Sequence, residues 1–189
     1  MILSEFPKMM FSSHAGWVDV ERIHPSVVRL YLFLVLPMSL VPPAMIEYAG
    51  FHYGSEYFGA ASDVTWLASA LVFLIAELLT VPLMAWAIKS VAETRDIPTN
   101  YHDTFMVAAI AAVPLWLSAL ALFVPSPLFV IGVVLIGLIA SVSLIYHGIG
   151  GLLHLHEEVE VAAITYTTIC LGVIAWALLI ALIFLPLLW

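Results

Sequence analysis

Charge and cysteine are what this chain has least of. Of 189 residues, 5 are Lys or Arg, 10% are charged and one is cysteine. A single thiol excludes an internal disulfide and a cysteine-based metal site. Cys170 falls inside an apolar run and reads as a small buried filler. Five scattered basic residues make no stripe for a phosphate backbone, so nucleic acid is not an expected partner. The scarcity of charge, with 64% hydrophobic residues and a mean hydropathy of +1.14, excludes a water-soluble globular domain. There is no glycine-rich phosphate loop, no nucleophile elbow and no Ser/His/Asp set, so no catalytic residues and no enzymatic activity are expected.

What is abundant is uninterrupted apolar sequence. Runs lie at Val27–Tyr48, Val64–Ile88, Thr104–Val124, Leu128–Ile149 and Ala162–Leu188. Each is near or above the ~20 residues that carry a helix across ~30 Å of hydrocarbon. If all five cross and the N-terminus is cytoplasmic, Lys8, Arg22, Arg29, Lys89 and Arg95 share the cytoplasmic side. That is the distribution expected when basic residues resist translocation. The expected fold is therefore an all-α polytopic membrane protein of five transmembrane helices, N-terminus in the cytoplasm and C-terminus outside, in the periplasm. Lipid is its first partner.

Two regions follow from this: residues 1–24 and a five-span domain over residues 25–189. Residues 1–24 hold no signal-peptide core, and Ile2, Leu3, Phe6, Met9, Met10 and Phe11 suit a short helix lying in the headgroup layer. The first span is then expected to act as an uncleaved anchor. Pro37, within it, and Pro114, within the third, each remove a backbone donor, so kinks are expected at both. Gly50–Asp63 reads as an outer loop, Pro125-Ser126-Pro127 as a tight hairpin, and Gly148, Gly150 and Gly151 as the end of the fourth helix. Gly137 with Ser141, and Ala108 with Ala112, are small-residue pairs suited to close helix contact.

Glu77 is the sharpest candidate for function. It lies thirteen residues from Val64 and eleven from Ile88, at mid-membrane. A carboxylate there costs several kcal/mol unless it is protonated, paired or facing water. Pro82 frees the carbonyl of Leu78 close by, and helical spacing sets Ala70, Phe73, Thr80 and Met84 on the stripe of Glu77. Glu77, Thr80 and Pro82 thus form the intramembrane candidate. The functional reading is an ion- or proton-linked site; the structural one is a neutral acid hydrogen-bonded to a neighbouring helix. Trp116 and Trp176 read as packing or lipid-facing residues. A second candidate is the loop with His154, His156, Glu157 and Glu158, whose imidazole and carboxylate groups suit zinc or a similar divalent metal. No cofactor is otherwise expected, and the plainer reading is a polar loop whose acids favour the dipole of the fifth helix.

Longer stretches carry a resemblance. KMMFSSHAGWVDVERI…LYLFLVLP resembles the opening of bacterial Yip-domain proteins, YHDTFMVAAIAAVPLWLSAL their proline-bearing third span, and LIYHGIGGLLHLHEEVEVAAITYTT the exit of their fourth. The resemblance implies a five-span inner-membrane protein of the bacterial cytoplasmic membrane. Eukaryotic relatives associate with one another and with Rab-type GTPases through a long N-terminal region; about two dozen residues precede the first span here, so Rab binding is not carried over. The expected function is an integral membrane adaptor or organiser that binds other membrane proteins or itself as a homo-oligomer. The alternative is a small oligomeric transporter or channel for ions, protons or divalent metal, built on Glu77.

Overall fold

The computed structural model describes residues 6–14, 16–59, 62–155 and 157–188. Every regular element among them is helical: α1 (Phe6–Met9), α2 (Trp17–Ile23), α3 (Val27–Leu30), α4 (Leu36–Ser39), α5 (Val41–Tyr57), α6 (Asp63–Glu93), α7 (Tyr101–Ser118), α8 (Pro127–Leu152) and α9 (Glu158–Leu188). A π-turn, Tyr31–Val35, joins α3 to α4, and a 3₁₀ turn, Ala119–Phe123, closes α7. Together they make five helical stretches long and apolar enough to cross a bilayer, beginning at Val27, Asp63, Tyr101, Pro127 and Glu158. The chain is a multi-pass membrane protein.

The prolines in the first span act as expected, by two routes. Around Pro37 the ladder widens, so that the Leu36 N–H reaches back five residues to Tyr31 O. The helix then breaks at Leu40 and restarts with Pro42 and Pro43 in its first turn, where no N–H is needed. Ser62, Asn100 and Ser126 cap α6, α7 and α8 by accepting the N–H of Thr65, Asp103 and Phe129. The Pro125-Ser126-Pro127 hairpin and the acids at the start of α9 (Glu158 and Glu160) are also as expected.

Two boundaries differ from the sequence reading. Gly50–Asp63 is not all loop, because α5 continues to Tyr57. Gly50 and Gly54 lie one turn apart and seat the indole of Trp66 from α6; a Cβ on Gly54 would stand 2.8 Å from Trp66 Cζ2. Likewise Gly148, Gly150 and Gly151 do not end α8, which runs to Leu152. They admit the N-terminal segment instead: a Cβ on Gly148 would meet Trp17 Cη2 at 2.7 Å. Glycine here serves close approach between elements, and packing outweighs its entropic cost in a helix.

α7 is the central helix. Of its apolar window 61% is buried, against 11% to 28% in the other four spans. It packs on α6 and α8, with α5 beside its 3₁₀ end, and α9 completes the bundle against α6 and α8. The close contact of α7 with α8 passes through Gly137, whose missing Cβ would lie 3.0 Å from Pro114 O. α6 shows the division of faces plainly. Leu71, Ile75, Leu79, Leu83 and Trp86 form an exposed lipid-facing stripe, while Ala70, Phe73, Glu77, Val81 and Ala85 turn inward. Cys170 is exposed on the outer face of α9, not buried as the sequence suggests. An apolar span buries a thiol no more readily than it presents one to lipid.

The segment before the first span is folded onto the bundle. Trp17 is 1% exposed and donates its indole N–H to Met9 O at 3.1 Å. Ser13 meets His147 of α8 at 3.1 Å, and the Ser143 hydroxyl donates to Met10 O. Met9 and Trp17 belong to the same buried cluster as α7. Residues 1–5 of the proposed interfacial helix lie outside the described residues.

Candidate functional site

A cavity of about 400 Å³ lies between α5, α6, α7, α8 and α9. Glu77 lines it, 7% exposed, and faces inward rather than toward lipid. Phe73, Thr80 and Met84 line it too, as the helical stripe predicted, and Ala70 is buried in the neighbouring cluster around Trp66. Trp116, 2% exposed, lines the cavity with Glu77, and Oε2 of Glu77 is left without a partner. Trp116 and Trp176 both line the cavity. Trp116 also belongs to the buried core around α7, as its packing reading expects; that both residues border one void is what the helical period alone could not say.

Sequence reasoning missed the two hydroxyls that complete the polar part of this cavity. Ser141 Oγ on α8 and Thr168 Oγ1 on α9 are buried without hydrogen-bond partners, at 5% and 1% residue exposure, and both residues line the cavity. Ser141 had a signal, since it was singled out as the partner of Gly137 in a small-residue pair. Thr168 had none, being one of several threonines in its run. Thr80 lines the wall, but its hydroxyl donates to Ala76 O at 2.8 Å and is committed to its own helix.

Pro82 acts elsewhere. The Leu78 carbonyl it frees accepts the Tyr31 hydroxyl at 3.1 Å, on the side of α6 toward the first span. Tyr101 donates to the carbonyl of Pro82 itself at 3.2 Å. The Tyr31 phenol replaces the donor that Pro82 lacks, and Tyr101 adds a second donor to a carbonyl already within the helical ladder. Pro82 is therefore part of the framework of α6, not of the cavity wall. Pro114 stands inside α7 with its carbonyl against Gly137.

The His/acid loop is arranged differently from the sequence picture. His154 pairs with Glu21 of α2, Nε2 to Oε1 at 3.1 Å, and not with Glu157 or Glu158. The intervening residue, His156, lies outside the described residues. A different group, His24, His102 and Asp103, brings three ligand atoms within 4.8 Å of one another. Its geometry argues against a chelate. The two imidazoles are stacked with centroids 4.0 Å apart and planes 6° from parallel. A metal bound at ~2.0–2.1 Å must lie near the plane of each ring, and two nearly parallel planes offer no shared point. His102 instead bonds Pro25 O through Nε2 at 2.8 Å and approaches Asp103 Oδ1 through Nδ1 at 3.2 Å. That clasp ties the C-terminus of α2 to the N-terminus of α7.

Comparison with known proteins agrees with this architecture. No curated protein and no solved structure matches the chain. The sequence profile of the Yip1 domain, however, matches residues 8–179, from the docked N-terminal segment through most of α9. With that match over most of its length and five apolar helices, the chain belongs to the Yip1 domain family.

Proposed function

We propose that this multi-pass protein is an adaptor or organiser of a bacterial cytoplasmic membrane, binding other membrane proteins or further copies of itself without catalysing a reaction. The observation that carries this reading is the folded N-terminal segment. With Trp17 anchored inward, Phe11, Val18 and Ile23 are turned outward at 80%, 54% and 55% exposure, beside Arg22. A pre-ordered surface of this kind loses little entropy when a partner binds it. The charge distribution supports a cytoplasmic N-terminus for this surface and an external C-terminus.

The test is a photo-crosslinking residue at Val18 in native membranes, with the same probe at lipid-facing Ile75 as control. Val18 is expected to return a reproducible protein neighbour that Ile75 does not. If Val18 returns only lipid, the adaptor reading fails. A second reading, a carrier, is favoured by Glu77 facing a cavity within the bundle. Its test is flux through liposomes that is lost in Glu77→Gln.

A further inference from the structure

The cavity holds more chemistry than an adaptor uses. Three side chains that line it, Glu77, Ser141 and Thr168, are each more than nine-tenths buried and each leave an oxygen unpartnered. Glu77 and Ser141 lie fourteen residues into α6 and α8. Both helices start at the end of the bundle away from the basic residues, so the two sit at one depth, about 21 Å in at 1.5 Å per residue. Buried oxygens without partners are costly to leave so, and a carboxyl at mid-membrane is the costliest. Bundles that hold such groups for packing alone satisfy them from a neighbouring helix. Here the neighbouring helices stand back around about 400 Å³ of space, within the range of small-molecule sites.

The lining also restricts what fits. No Lys or Arg lines the cavity, so nothing there neutralises a phosphate or a carboxylate. Most of the wall is apolar, which suits a hydrocarbon body. The unpartnered oxygens all accept hydrogen bonds, and an ammonium group offers three donors and the charge opposite to a carboxylate. Trp116 and Trp176 are among the lining residues, and an indole is the side chain that attracts a cation best.

We propose that this cavity is a binding site for a lipophilic amine: its ammonium group pairs with Glu77 and is hydrogen-bonded by Ser141 and Thr168, and its hydrocarbon body lies among the apolar residues of α5 and α9. This stands independently of the adaptor reading, which concerns the outward surface of α2, a helix that takes no part in the cavity wall.

The test uses the full chain in lipid nanodiscs and three probes sharing one tail: octylamine, 1-octanol and octanoate. Binding is read from indole fluorescence, with protein-free nanodiscs subtracted for partition into lipid. Octylamine is expected to bind saturably and roughly 10- to 100-fold more weakly to Glu77→Gln, the span of a hydrogen bond to a charged group. Octanol is expected to bind both proteins alike and weakly, and octanoate neither. A second variant, Ala112→Phe, fills the cavity while keeping Glu77, and is expected to abolish the octylamine signal. Equal octylamine binding by wild type and Glu77→Gln overturns the proposal. So does octanol binding as tightly as octylamine, or full octylamine binding by Ala112→Phe. If Glu77→Gln does not fold, the Ala112→Phe arm and the probe series decide alone.

Discussion

Tyr31→Phe is the most exacting test of how this bundle tolerates proline. Pro82 has no N–H, so the Leu78 carbonyl lacks its helical partner, and the Tyr31 hydroxyl donates to it at 3.1 Å from the first span. Removing that hydroxyl strands a carbonyl in a region without water. Hydrogen bonds between membrane helices average about 0.6 kcal/mol and reach about 1.7. The usual compensation, a return to the helical ladder, is closed here, so the loss belongs near the upper figure, about 1–1.7 kcal/mol. Pro82→Ala changes the sum. Its new N–H can take the Leu78 carbonyl, and Tyr31→Phe should then cost only a few tenths of a kcal/mol. The four proteins of this cycle, unfolded reversibly by denaturing detergent from mixed micelles, should show a coupling of about 1 kcal/mol between the two sites. Equal losses from Tyr31→Phe in both backgrounds would refute the account, since the tyrosine would then be acting through its ring alone.

Three further outcomes follow from the same geometry. Gly148→Val drives a side chain into the Trp17 indole, at an overpacking cost of about 1–3 kcal/mol; proteolysis within residues 11–26 should accelerate, and unchanged resistance would mean that Trp17 is not seated there. His102→Ala removes the bond to Pro25 O and should lower stability by about 1 kcal/mol, while zinc titration should give the same isotherm for wild type and His24→Ala; loss of zinc binding in His24→Ala would restore the metal reading. A nitroxide on Cys170, the one cysteine in the chain, should collide readily with oxygen and poorly with a water-soluble nickel chelate; the reverse ranking would mean that this face of α9 is not against lipid.

The all-helical class and the number of spans were legible in the sequence, because both depend on a one-dimensional quantity: the length of an apolar run against the thickness of hydrocarbon. The Pro125-Ser126-Pro127 hairpin was legible for a similar reason, since proline acts within a turn of itself. What surrounds Glu77 was not legible. The stripe through Phe73, Thr80 and Met84 followed from the helical period, but in a span apolar all round no pattern tells which face meets lipid and which meets protein. For that reason Trp116, Trp176 and Thr168 gave no sign that they share a cavity with Glu77, and Cys170 none that it faces outward. The glycines of α5 and α8 read as loop and terminator, and only the arrival of Trp66 and Trp17 from distant positions makes them helix interior. Water sorts the faces of a soluble helix by polarity, so its sequence records them; lipid and protein interior are equally apolar, so the contacts between helices decide, and those exist only in the folded bundle.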